Sequence, residues 1–154
     1  MKPLLVLIII FVITIFAIRL IENRYDIPSS ANIAMSAMLF FSAMGHFIYT
    51  KGMTMMIPYF IPLKTIIVYF TGVLEIVLGI GLLFPCLRSY FAWITIFFFI
   101  LLLPANINAA IKHINYQKGS FNGSGLAYLW FRIPLQIFFI LWIYLSSINY
   151  KIIF

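Results

Sequence analysis

Five apolar segments, at 3–20, 31–49, 65–84, 90–111 and 126–148, divide this chain, each bounded by charged or turn-forming residues. A helix rises 1.5 Å per residue, so roughly 20 residues cross the hydrocarbon core of a bilayer; every segment is close to that length. A water-soluble fold is excluded by the balance of surface. Of 154 residues 65% are hydrophobic and 8% charged, and the mean hydropathy is +1.14, more apolar surface than a domain of this size can hide from water. The expected architecture is all-α: an integral membrane helical bundle, one domain over 1–154, in contact with the lipid bilayer.

The first segment also begins as a secretory signal does, with Lys2 ahead of an apolar run. That run is long for a signal, and the nearest small-residue pair, Ser29 and Ala31, lies well beyond it. A retained helix is expected. Between the second and third segments, "KGMTMMIPYFIPLK" is too apolar for a solvated loop, and Pro58 and Pro62 hold Ile57 and Ile61 extended; it is expected at the membrane interface. The linker "KHINYQKGSFNGSG" is rich in Gly, Asn and Ser and reads as a true loop.

The net charge of +7 does not indicate nucleic acid, because Lys and Arg stand singly between apolar segments. With alternating spans, Lys2, Lys51, Lys64, Lys112 and Lys118 fall on one side and Arg19, Arg24, Arg88 and Lys151 on the other, so charge bias assigns no orientation. The single cysteine, Cys86, rules out an intramolecular disulfide, a Cys-x-x-Cys redox pair or a thiolate metal cage within one chain. No metal-ligand pattern is seen and no cofactor is evident. Trp93, Trp130 and Trp142 read as bilayer contacts and interface anchors.

Glu75, one of three acidic residues, sits mid-segment at a depth where an ionised side chain costs about 2.5–3.5 kcal/mol. Gly72 and Gly79, at i−3 and i+4, share its helix face and would admit a neighbouring backbone closely, turning the carboxylate toward protein. His46, Asn106, Arg132 and Gln136 fall in the same half of the bilayer, and Pro104 and Pro134 free backbone carbonyls beside them. The five side chains are the ligand-binding or polar-layer candidates, with Arg132 the expected countercharge of Glu75, directly or through Gln136 or water. For Glu75 a structural buried pair and a ligand- or proton-handling role weigh equally. His46 reads first as interfacial packing, and Asn106 and Gln136 as interhelical hydrogen-bonding residues.

The stretches "AMGHFIY" (43–49), "MIPYFIP" (56–62), "YFTGVLEIVLGIGLLFP" (69–85), "LPANINAA" (103–110) and "RIPLQ" (132–136) together resemble the DoxX-like family of small integral membrane proteins. The most specific part of the set is Gly-x-x-Glu followed by Pro-Ala-Asn and Arg-x-Pro-x-Gln. The resemblance implies a four-helix core over 31–148, to which 3–20 adds an N-terminal helix, and a bacterial cytoplasmic membrane location. It marks His46, Glu75, Asn106, Arg132 and Gln136 as the positions through which the family pattern acts. The family includes a small subunit of a thiosulfate:quinone oxidoreductase and members associated with membrane redox complexes or oxidative stress.

Three functions are open. Ranked first is a non-catalytic subunit or assembly factor of a membrane redox complex, with a quinone or lipid in the polar pocket and a membrane redox protein, or further copies of the chain, as partners. The alternatives are a small proton-coupled transporter using Glu75 and a membrane enzyme in which His46 and Glu75 act as acid and base on a lipid-soluble substrate.

Overall fold

The computed structural model describes Lys2–Asn149; Lys151, counted above in the charge comparison, lies outside the described residues. Six helices follow one another: α1 (Lys2–Glu22), α2 (Ile27–Ile48), α3 (Thr50–Met56), α4 (Lys64–Leu83), α5 (Arg88–Ile111) and α6 (Leu126–Ile143), the last continuing into a wide π-helical turn, Tyr144–Ile148. Among the described residues there is no strand; Asn115 and Ser120 form an isolated bridge within the loop before α6. Five helices, all but α3, are long and apolar enough to cross a membrane, which fits a multi-pass membrane protein.

Two boundaries differ from the sequence reading. α2 begins four residues before 31, because Asp26 accepts a hydrogen bond from the Ser29 backbone N–H at 3.0 Å and Pro28 stands in the first turn, where its missing N–H costs nothing. The segment after α2, expected at the membrane interface with Ile57 and Ile61 extended, begins with a helix. Its first half is α3, which ends where Pro58 forces Ile57 into an extended conformation (φ −71°, ψ 131°). Beyond it Tyr59 and Phe60 project outward, 83% and 73% exposed.

α2 is the centre of the bundle. Half of its most apolar window is buried, against 6% for α1, so α1 is a peripheral helix laid along α2. It is nevertheless fastened: Leu7 is fully buried, and Phe11 meets Trp142 edge to face at 5.0 Å, while Trp142 Nε1 donates to the Ala31 carbonyl at 3.1 Å. Tight approach of α2 and α4 depends on glycine. A Cβ at Gly72 would stand 2.9 Å from the His46 Cβ, and one at Gly79 would stand 2.8 Å from the Phe40 ring. The expected role of these two glycines is thus realised against α2.

The apolar core, including Met35, Leu39, Leu78, Leu82, Ala92 and Ile143, fills the half of the bundle holding the C-terminal end of α4. Near that end Asn32 donates to the Ser146 carbonyl at 3.1 Å and accepts from the Ser147 hydroxyl, and Ser36 donates to the Gly79 carbonyl at 2.8 Å. This hydrogen-bonded clasp satisfies its buried polar groups. The other half of the bundle, where α2 and α5 end and α4 and α6 begin, contains the buried side chains of His46, Asn106 and Gln136, with Glu75 near mid-length of α4.

Candidate functional site

Glu75 lies about 16 Å along α4 from its first residue and is 2% exposed. Its Oε1 accepts a hydrogen bond from the Ser42 hydroxyl at 3.1 Å and stands 3.6 Å from His46 Nε2. Its Oε2 is buried with no hydrogen-bond partner. The direct form of the expected pair with Arg132 is not present: among the described residues Glu75 approaches only His46 at ion-pair distance, while Arg132 and Gln136 share a void with it. The reason is the packing of α2 on α4, where Gly72 lets His46 sit beside the carboxylate, while Arg132 enters from α6.

His46, in the last turn of α2, is buried against protein. Its Nδ1 is 3.1 Å from both the Val68 carbonyl oxygen and the Thr71 hydroxyl. Nδ1 is thus turned to the backbone and hydroxyl of α4, and Nε2 is the nitrogen presented to Glu75. Thr71 turns its own hydroxyl proton to the Ile67 or Val68 carbonyl. The ring is therefore fixed in orientation by the first turns of α4.

Asn106 and Gln136 are brought together across α5 and α6, with Asn106 Nδ2 3.5 Å from Gln136 Oε1. Gln136 donates through Nε2 to the Phe99 carbonyl. That acceptor lies beside the Ile100 carbonyl, which Pro104 deprives of its helical donor. Tyr128 extends the chain by donating to Asn106 Oδ1 at 3.2 Å.

Two neighbouring voids, which share wall residues, lie among these groups. The inner one, about 30 Å³, is bordered by Glu75, Asn106, Arg132 and Gln136 and closed on its apolar side by Met38, Phe99 and Phe139. It is the size of one water molecule. The outer one, about 260 Å³, lies toward the end of the bundle under α3 and the loop before α6, with Lys2, Tyr128 and Arg132 among its polar walls and Phe41, Met44, Ile48, Met53 and Met56 among its apolar ones. Ser42, Arg132 and Pro3 border both voids. The roof is held in place by Asn108 Nδ2, which donates to the Met56 carbonyl at 2.7 Å, and by edge-to-face contact of Tyr49 with Tyr116.

All five sequence candidates therefore belong to one polar layer. The sequence reading missed Ser42, Thr71 and Tyr128. Each is four residues before a candidate, at His46, Glu75 and Arg132 respectively, and so on the same helix face. Lys2 and the outer cavity carried no such signal, since they depend on where α1, α3 and the long loop settle.

The family model for a domain of unknown function, DUF8561, matches residues 35–147, which is 113 of the 154 residues. The chain belongs to the DUF8561 family. The match begins inside α2 and contains Ser42, His46, Glu75, Asn106, Arg132 and Gln136, so the whole inner polar layer is family sequence, whereas α1, with Lys2, precedes it. No curated protein and no solved structure matches the chain significantly.

Most polar groups of the DUF8561 layer are engaged with one another, Ser42 and His46 with Glu75 and Tyr128 and Gln136 with Asn106, which leaves Glu75 Oε2 and the Arg132 guanidinium as the groups without a hydrogen-bond partner among the described residues. Among the described residues no cluster of three His, Cys, Asp or Glu side chains could hold a metal.

Proposed function

We propose that this protein is a multi-pass cell-membrane protein that binds a lipid-soluble ligand with a polar head, and serves as a non-catalytic subunit or assembly factor of a membrane redox complex. The observation that carries the binding part is the buried Glu75 Oε2, which has no hydrogen-bond partner among the described residues, in a side chain that borders a water-sized void sharing Pro3, Ser42 and Arg132 with the outer cavity. A buried carboxylate oxygen without a donor is costly, and a water or a ligand hydroxyl in that void would relieve it. The outer cavity, near the lower limit of about 300 Å³ for small-molecule sites, accommodates the head of a quinone or lipid; the inner void is too small for a ring. The redox association rests on the DoxX-like resemblance.

The test is purification from native membranes in mild detergent, followed by mass spectrometry of both the organic extract and the associated proteins. The proposal expects a quinone or lipid enriched over the bulk membrane together with a redox protein. Neither being enriched would reject it.

A second reading, a proton-coupled carrier, is favoured by the 3.6 Å approach of His46 Nε2 to Glu75 Oε1. Substrate flux in proteoliposomes that is abolished in Glu75→Gln would support it, and the absence of any proton-driven flux would remove it.

A further inference from the structure

Arg132 is half-buried inside α6, yet among the described residues it makes neither a hydrogen bond nor an ion pair with another side chain. Of three acidic residues, Glu22 is engaged with Arg24 at 2.7 Å and Asp26 caps α2, both at the opposite end of the bundle, and Glu75, whose Oε1 is held by Ser42 and His46, shares the inner void with Arg132 without reaching ion-pair distance of it. The outer cavity that Arg132 borders has Lys2 as its second cation and no acidic residue in its wall. A guanidinium within a span is expensive without an anion, and its planar fork matches phosphate and carboxylate oxygens two at a time. Another part of the wall is of the opposite character: Met44, Met53 and Met56 are flexible and apolar, and with Ile48 they suit the first methylenes of a chain.

We infer that the outer cavity is a site for the anionic head, phosphate or carboxylate, of an amphiphile whose apolar part lies along the methionine wall. Arg132 binds the head from α6 and Lys2 from α1, in the manner of basic pockets between spanning helices that take acidic lipid headgroups. Arg132 also borders the inner void, so it stands at the junction between the bound anion and the Glu75 layer. This inference rests on the ligand-binding reading above and gives the ligand its charge. It also assigns a use to α1, which supplies a cation from outside the family-matched region.

The experiment is retention of lipid by the full chain in micelles titrated with phosphatidylglycerol, phosphatidylcholine, ubiquinone or inorganic phosphate, read by native mass spectrometry. The expected result is about one phosphatidylglycerol per chain in preference to phosphatidylcholine, with retention at least tenfold weaker in Arg132→Gln, several-fold weaker in Lys2→Gln and partly preserved in Arg132→Lys. Equal retention of the two phospholipids, or undiminished phosphatidylglycerol in Arg132→Gln, would overturn the inference. If millimolar inorganic phosphate displaced the lipid, the site would be one for a free anion and the amphiphile assignment would fall. Retention of ubiquinone alone would overturn the anionic head while sparing the ligand-binding reading, and retention of nothing would overturn both. Should Arg132→Gln fail to fold, Lys2→Gln and the comparison of lipids on the unaltered protein decide the matter.

Discussion

His46 Nε2 and Glu75 Oε1 stand 3.6 Å apart across the α2–α4 contact, and His46 is held in that pose by the Val68 carbonyl and Thr71. Among the described residues this is the one acid–base pair at ion-pair distance within the bundle interior, and it should be energetically coupled. A double-mutant cycle of His46→Ala and Glu75→Ala, followed by thermal unfolding in detergent, is expected to give a coupling of about 0.5–3 kcal/mol. Additive losses would show that the two groups ignore each other.

The pair exists because Gly72 lets the helices meet. With a Cβ placed 2.9 Å from that of His46, Gly72→Ala must push α2 and α4 apart or displace the ring. Overpacking of this kind costs about 1–3 kcal/mol, and the His46–Glu75 coupling should shrink with it. Gly45→Ala is the control, because a Cβ there meets only the Met53 Cε at an ordinary 3.5 Å; it should be close to neutral in the same unfolding measurement.

Membrane insertion is testable through the single cysteine. Cys86 is exposed and follows α4, whereas Tyr59 is exposed and precedes it; a 20-residue helix separates them. In intact cells an impermeant maleimide should label either Cys86 or the cysteine of a Tyr59→Cys, Cys86→Ser variant, but not both. Labelling of both from the same side would contradict a spanning α4.

How much of this was legible beforehand differs by kind of feature. The five long helices are visible because lipid-length apolar runs are set by local composition, and Glu75, His46, Asn106, Arg132 and Gln136 converge because helices of known length that alternate in direction bring their ends to known depths. Depth, however, does not specify which helix faces which. Arg132 was the natural partner for Glu75 by charge, yet His46 is the neighbour that Gly72 admits, and nothing in the spacing of α6 relative to α4 could decide between them. The start of α2 lies ahead of the apolar segment because Asp26 and Pro28 are capping and first-turn residues, which hydropathy does not register. The Asn32, Ser146 and Ser147 clasp escaped notice because small hydroxyl residues in apolar segments carry little signal until a partner 114 or more residues away is placed against them.

The central claim is that the outer cavity holds a lipid-soluble ligand, and the most direct measurement fills that cavity without disturbing the polar layer. Gly45 borders the cavity and has room for a side chain, so Gly45→Leu should unfold near the temperature of the unaltered protein. The bound lipid-soluble molecules per chain, quantified in the organic extract of each purified protein, should be about one for the unaltered chain and at least tenfold fewer for Gly45→Leu. Equal occupancy in the two proteins, or none above the detergent background in either, would contradict the account.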